Sequence, residues 1–135
     1  MKVVVDTNIF VSGILSPSGF PAQILDLLLR RKITPLISPA ILREYAEVLA
    51  RKEFSFNPDT VQDYLYAIGL YAQKIWGISP HPALPDPDDE VFLACALEGK
   101  ANFLITGNKK HFPDHLCKPI RIVSPREFIE KFSPE

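Results

Sequence analysis

The stretch MKVVVDTN, residues 1–8, decides the fold class of this chain. Val3, Val4 and Val5 form an uninterrupted β-branched run, which is typical of a strand buried on both faces of a parallel sheet. The run ends directly at Asp6. Because ligands of open α/β sheets bind beyond the carboxyl ends of the strands, this aspartate lies where a functional site is expected.

The rest of the chain alternates between strand and helix patterns. Short apolar segments predict three more strands at 34–38, 102–106 and 119–123. Capping residues, prolines and a 3.6-residue period of apolar residues predict five helices. They begin at Pro21, at Ser38-Pro39 (ending near Lys52), at Asn57-Pro58 (continuing through Ile75), at Asp86-Pro87 (ending at Glu98) and at the capping box of Ser124 with Glu127. Residues 77–87 contain four prolines and predict a loop. The pattern predicts an α/β three-layer sandwich with a central parallel sheet of four to five strands.

Composition and charge are those of one ordinary globular domain, residues 1–135. The chain is 47% hydrophobic, and 15 lysines and arginines balance 16 aspartates and glutamates, so no overall basic field marks a nucleic-acid binder. Cys95 and Cys117 lack metal-type spacing, and Cys95 reads as a small buried hydrophobe, which favours a reducing setting. No apolar run suits a signal peptide or a membrane span, so we expect a cytoplasmic protein with no membrane contact.

Two acidic side chains allow both a structural and a functional interpretation. Asp6, in Asp6-Thr7-Asn8, either caps the following helix or faces a site at the sheet edge. Glu44 shares a helical row with Ile41 and Val48, so it lies on or beside a buried stripe. Its carboxylate either reaches water from the edge of that stripe or points into a site. The residue pattern leaves both alternatives open.

An acidic run stands at the start of the helix that begins near residue 86. Asp86 and Asp88 are explained by the free N–H groups and the dipole of the helix amino terminus, which favour negative charge. Asp89 differs, because Phe92 and Leu93 continue its row into the apolar face of the helix. A carboxylate there needs a proton, a cation or a metal ion.

A further polar segment, Thr106-Gly107-Asn108, follows a predicted strand at the same sheet edge, where a simple loop is the alternative. Together with the candidate carboxylates it predicts a single cleft at this edge. Oxygen ligands without a His or Cys cluster favour a hard divalent cation, Mg²⁺ or Mn²⁺, over zinc.

The chain resembles the PIN domain family, and most closely its small prokaryotic members that are VapC-like toxin components of toxin–antitoxin systems. The likeness spans essentially the whole length and rests on VVVDTNIFVSGIL at the start, Ser38-Pro39 with Glu44 in the middle, DPDDEVFLACALEGKANFLITGNKKHF late in the chain and PIRIVSPREFIEKF at the end. PIN domains are typically Mg²⁺- or Mn²⁺-dependent ribonucleases. The resemblance therefore implies hydrolysis of phosphodiester bonds in single-stranded or looped RNA.

The resemblance also implies roles for individual residues. The implied metal-binding carboxylates are Asp6, Glu44 and Asp89, with Asp86 as an outer member of the metal site. Thr7 and Thr106 match the hydroxyl positions that support the first aspartate and the late motif, and the implied catalytic set is Asp6, Glu44, Asp89, Thr106 and Asn108. The late motif often reads Thr-Gly-Asp, so Asn108 is a departure that weakens a second metal position.

Partners follow from the same resemblance. Toxin-like PIN proteins commonly form homodimers or higher homo-oligomers and are inhibited by a small antitoxin protein. Leu27, Tyr45, Tyr66 and Tyr71 are candidates for such interfaces, and ordinary surface positions are the alternative. Lys109, Lys110 and His111 form either a cationic rim for RNA or a solvated loop.

Two other functions compete with the ribonuclease. A PIN domain that no longer cuts, acting as an RNA- or protein-binding module, is supported by Asn108, whereas the acidic residues argue against it because they repel phosphate. An aspartyl-phosphate phosphotransferase is disfavoured, since that class resembles Asp-x-Asp and the third position here is Asn8.

Overall fold

The structure, a computed structural model, describes residues 1–77 and 79–134. Ile78, inside the predicted loop at 77–87, and Glu135, the last residue of the predicted domain, lie outside the described residues. The strands are β1 (Lys2–Val5), β2 (Thr34–Ile37), β3 (Gln73–Lys74), β4 (Phe103–Ile105) and β5 (Arg121–Val123). The helices are α1 (Thr7–Leu15), α2 (Phe20–Leu29), α3 (Pro39–Leu49), α4 (Pro58–Tyr71), α5 (Glu90–Gly99), α6 (Asp114–Cys117) and α7 (Pro125–Glu127).

Four shorter helical turns complete the chain. Three of them are 3₁₀ turns, at Lys52–Phe54, Pro87–Asp89 and Lys109–His111, and a π turn at Phe128–Phe132 follows α7.

The five strands form one parallel sheet in the order β3-β2-β1-β4-β5, so β1 is the central strand. Val3, Val4 and Val5 stand opposite Phe103, Leu104 and Ile105 of β4. All three valines are buried, as expected for a strand covered on both faces. Helices flank the sheet, and the predicted α/β fold with a parallel sheet is confirmed.

Local capping signals position the helices that follow the strands. The Ser38 hydroxyl accepts a hydrogen bond from Ile41 N at 3.2 Å at the start of α3. Ser124 and Glu127 form the predicted capping box at α7, in which each side chain accepts a hydrogen bond from the other residue's backbone N–H. Helix α3 ends at Leu49 rather than near Lys52, which belongs to a separate turn.

The prediction that the fourth helix continues through Ile75 is wrong. Helix α4 ends at Tyr71, and the next residues form β3, which pairs in parallel with β2. Ile75 N donates a hydrogen bond to the Ile37 carbonyl at 2.9 Å. The Ile75 side chain packs against Gly99, which has no side chain to block the approach. Tertiary pairing with β2 therefore overrides the helical period at this position.

Two further findings bear on the predicted setting. Cys95 and Cys117 are both buried and carry free thiols, as predicted for Cys95. Within residues 1–77 and 79–134, no helix combines the length and the apolar character that crossing a membrane requires.

Candidate active site

Asp6 joins the central strand to the first helix. Its backbone N–H donates to the Ile105 carbonyl at 2.9 Å, which continues the pairing of β1 with β4, and the residue is only 6% exposed. Asp6 occupies the N-cap position of α1, but its carboxylate accepts no capping hydrogen bond from the residues that the structure describes. The backbone N–H groups of Thr7 and Asn8 nevertheless lower the pKa of this carboxyl group, so a contribution to the start of α1 and a role in a site are both compatible with its position.

The Asp6 carboxylate is held from the neighbouring strand. Thr106, fully buried at the end of β4, donates a hydrogen bond from Oγ1 to Asp6 Oδ2 at 2.8 Å. The same hydroxyl oxygen accepts a hydrogen bond from Asn108 N at 3.0 Å. This arrangement fixes the carboxylate at the carboxyl edge of β1 and β4. Thr7 is also buried, and its Oγ1 has no hydrogen-bond partner among the described residues.

The aspartates near residue 86 divide as the helix pattern predicts. Asp86 Oδ1 accepts a hydrogen bond from Asp88 N at 3.0 Å, so Asp86 caps the turn that leads into α5. Asp88 is exposed. The Asp89 side chain is 13% exposed, and Asp89 Oδ2 is buried without a hydrogen-bond donor among the described residues. Asp89 is thus the member of the run that faces the interior of the site.

His111 joins this group, although the sequence pattern indicates only a rim or a loop for it. A carboxylate oxygen from Asp86, one from Asp89 and a ring nitrogen of His111 all lie within 4.8 Å of one another. His111 Nδ1 is 2.8 Å from Asp89 Oδ2, but the contact lacks the geometry of a hydrogen bond. A ring nitrogen thus lies beside the carboxylate oxygens of this site, a neighbour that the sequence pattern does not indicate.

Glu44 and Asn108 lie at the margin of the site. Glu44 is half-buried on α3, and the charges of Asp6 and Asp88 reach its carboxyl group. Neither Glu44 nor Asp6 belongs to the set of atoms within 4.8 Å. Asn108 is exposed, and its side chain makes no capping hydrogen bond to the described residues.

Burial raises the pKa of all three candidate carboxyl groups, Asp6, Glu44 and Asp89. Burial raises the pKa of Asp6, against the lowering effect of the Thr106 hydrogen bond. Burial, then the negative charge of Asp6, raises the pKa of Asp89 from its ordinary value of 3.8 to about 6. Burial, then the charge of Glu47, raises the pKa of Glu44. Each shift means that the ionised carboxylate lacks sufficient compensation from the surrounding protein.

Tyr45 lies in the core next to the site and is not exposed for an interface. It is buried, and its hydroxyl donates a hydrogen bond to the Val5 carbonyl, next to Asp6. Burial, followed by the charge of Asp6, raises the Tyr45 pKa well above 10. The prediction that Tyr45 is exposed is wrong, because this hydroxyl finds a partner inside the core.

The sequence of residues 2–110 matches the family model of the PIN domain. The chain belongs to the PIN domain family. It is 33% identical over 144 residues to the uncharacterised protein MJ1680 of Methanocaldococcus jannaschii, with 98% of this chain and 92% of that protein covered. The fold of this PIN domain is similar to that of VapBC2 from Rickettsia felis bound to a promoter DNA fragment. That likeness has a TM-score of 0.57 at 19% identity and covers 92% of this chain and 98% of the other.

The predicted family is thus confirmed. PIN domains are generally nucleases and use divalent metal ions. The donor set of this PIN domain fits such an ion. Asp89 Oδ2 is a buried acceptor without a donor among the described residues, and it lies in a group of donor atoms compact enough to surround one cation.

Proposed function

We propose that this PIN domain is a divalent-metal-dependent endoribonuclease that hydrolyses phosphodiester bonds in single-stranded or looped RNA. The observation that carries the proposal is the buried Asp6 carboxylate, which Thr106 holds within electrostatic reach of Asp89. Burying carboxylates together without a compensating cation is costly. The cost is understandable if the carboxylates serve to bind a cation.

The proposed ligands of Mg²⁺ or Mn²⁺ are Asp6, Glu44 and Asp89, with Asp86 at the outer side of the site. When bound, the ion would supply charge stabilisation for phosphoryl oxygens and activation of a water molecule. Thr106 is proposed as a positioning residue, because its hydroxyl fixes the orientation of the Asp6 carboxylate. Asn108 is proposed to contact the substrate from the exposed rim, next to Thr106.

RNA as the substrate rests on the family and on the cations beside the site. Lys109 is held by Glu127, with Nζ 2.9 Å from Oε1, whereas Lys110 is exposed. An exposed lysine next to Asn108 is suited to contact the phosphate backbone. A single strand or a loop is favoured because its nucleotides are unstacked and its backbone is accessible.

We further propose that the protein is the toxin of a toxin–antitoxin pair in the cytoplasm, with a small antitoxin protein and a second copy of itself as partners. The fold likeness to VapBC2 supports this proposal. Tyr66 is 71% exposed and Leu70 is also exposed on α4, so this helix presents apolar surface for a partner. Leu27 and Tyr71 are only partly exposed.

The proposal is tested with purified protein and a panel of labelled single-stranded RNAs in EDTA, Mg²⁺ or Mn²⁺. The key variant is Asp6→Asn, which keeps the shape of the side chain and removes its charge. Asp63→Asn is the matched control, since Asp63 is exposed on α4 and is not among the residues that contact the candidate site. We expect metal-dependent cleavage by the parent and the control, and a rate at least about a hundredfold lower for Asp6→Asn.

The alternative, a PIN domain that binds RNA or protein without cutting, makes the opposite prediction. RNA binding without cleavage in any metal, together with no heat of divalent-ion binding in calorimetry, would establish that alternative and remove the ribonuclease proposal. Equal cleavage by Asp6→Asn and the parent would place the reaction elsewhere on the molecule.

A further inference from the structure

We propose that His111 is a ligand of the divalent ion in this site and that its ring nitrogen makes the site prefer Mn²⁺ to Mg²⁺. The inference deepens the proposed function and rests on it. It assigns a role to His111, which lies three positions beyond Asn108. Asn108 itself occupies the position at which the family often has an aspartate.

The ring of His111 lies beside two aspartates. His111 Nδ1 is 2.8 Å from Asp89 Oδ2, and a ring nitrogen of His111 is within 4.8 Å of donor oxygens of both Asp89 and Asp86. Atoms that share one ion at ordinary metal–ligand distances of about 2.0–2.5 Å lie within about 5 Å of one another. His111 and Asp89 therefore meet the distance condition for a common cation, and Asp86 lies close enough to support it from the outer side of the site.

The acceptor on Asp89 lacks a partner despite this contact. Asp89 Oδ2 is buried, and no described residue donates a hydrogen bond to it, although His111 is adjacent. A protonated His111 forming a simple ion pair would be expected to direct its N–H at this oxygen. His111 also lowers the pKa of Asp89, but burial outweighs this effect and the pKa is raised to about 6, so the pair still lacks the positive charge that a bound cation would supply.

The backbone holds the ring in this place. Asn108 starts the 3₁₀ turn Lys109–His111, and His111 N donates to the Asn108 carbonyl at 3.1 Å. Phe112, which follows directly, is buried in the core and anchors the end of the turn. The Lys109–Glu127 ion pair holds the start of the same turn. The turn thus points Asn108 outward and returns His111 to the acidic side chains.

The preference between metals follows from the donor type. Mg²⁺ prefers oxygen ligands and retains water, whereas imidazole nitrogen binds more strongly to transition-series ions such as Mn²⁺. Loss of the nitrogen should therefore weaken Mn²⁺ binding more than Mg²⁺ binding. The carboxylates remain able to bind either ion.

The test uses the full chain and Mn²⁺ or Mg²⁺ alone as the probe. Pulsed electron paramagnetic resonance of the Mn²⁺-loaded parent protein should show coupling to a directly bound ¹⁴N nucleus. Isothermal titration calorimetry should show that His111→Ala weakens Mn²⁺ binding by about ten- to a hundredfold and Mg²⁺ binding by a smaller factor. His115→Ala is the matched control, because His115 is exposed on α6, and it should leave both affinities unchanged.

The outcomes separate this inference from the proposed function. Mn²⁺ binding to the parent without ¹⁴N coupling, or His111→Ala affinities equal to those of His115→Ala, would overturn the role of His111 while leaving the ribonuclease proposal intact. Binding of Mg²⁺ without Mn²⁺ would also overturn the role of His111 alone, whereas binding of neither ion by the parent would overturn both proposals. The resonance measurement needs no variant, so the inference is decided even where His111→Ala does not fold.

Discussion

Asp89 illustrates how one carboxyl group can oppose the stability of the ion-free protein. Its pKa is raised to about 6, first by burial and then by the charge of Asp6, whereas its value in an unfolded chain is 3.8. Between these two pH values the folded state binds more protons than the unfolded state. Stability therefore falls as the pH rises through this window and remains reduced above it.

We predict that Asp89→Asn stabilises the ion-free protein at pH 7.5 by about 1–3 kcal/mol, since the variant removes the unfavourable charge. The difference should shrink as the pH falls through about 6 and disappear below about 4. Urea unfolding in EDTA across this pH range measures it. Asp63→Asn serves as the control, and a constant difference between Asp89→Asn and the parent at all pH values would contradict the interpretation.

Residue patterns predict some of the site and miss one member for a physical reason. The position of Asp6 after a buried strand and that of Asp89 on a helix row predict that both face the site. In the structure the charge of Asp6 raises the pKa of Asp89, so the two carboxyl groups interact. The sequence does not identify His111 as a neighbour of Asp89, because this contact depends on a tertiary turn that no sequence period describes. The burial of Tyr45 was predictable, since its spacing of four residues from Ile41 places both on the buried row of α3.

At the scale of elements, helix α1 depends on its close approach to α2. A Cβ atom at Gly13 would lie 2.6 Å from Leu25 Cδ1 and 3.2 Å from the backbone carbonyl carbon of Pro21. A Cβ atom at Gly69 in α4 would have no atom of the described residues within 4 Å, apart from the neighbouring helix backbone. The two glycines therefore occupy helices under opposite packing conditions.

We predict that Gly13→Ala destabilises the protein by about 1–3 kcal/mol, because the contact with α2 outweighs the gain in helix propensity. Gly69→Ala is the matched control and should stabilise by up to about 1 kcal/mol. Guanidinium unfolding of both variants provides the comparison. A Gly13→Ala protein as stable as Gly69→Ala would show that α1 and α2 can separate at little cost.

Elements with strong local signals were predictable and those formed by pairing were not. The valine run of β1 and the caps at Ser38 and Ser124 each appear where the sequence indicates. Strand β3 consists of Gln73 and Lys74, which have no β-strand signal, and the preceding helical period conceals it. It forms because β2 presents unpaired backbone groups on the side away from β1, and these groups are in place only once the sheet is assembled.

Helix amino termini, which carry partial positive charge, and several carboxylates lie together at the carboxyl edge of the sheet. All strands are parallel, so their carboxyl ends lie together, and α1 and α3 begin there directly after β1 and β2. The amino termini of these helices favour negative charge nearby. The raised pKa values of Asp6, Glu44 and Asp89 indicate that this effect does not compensate the clustered carboxylates. A bound divalent cation would complete the compensation.

We therefore predict that Mn²⁺ stabilises the entire fold. At an ion concentration of about a hundred times Kd, linkage contributes about 2.7 kcal/mol, which corresponds to an increase of roughly 10 °C in Tm for a domain of this size. Asp89→Asn should have the higher Tm in EDTA but lose most of the increase with Mn²⁺, so its advantage over the parent shrinks or disappears when the ion is added. Differential scanning calorimetry at pH 7.5 measures both, with Asp63→Asn expected to follow the parent. An equal increase in Asp89→Asn and Asp63→Asn would mean that Mn²⁺ acts away from this edge of the sheet, because the ion would then bind without the carboxylate whose charge it is proposed to offset.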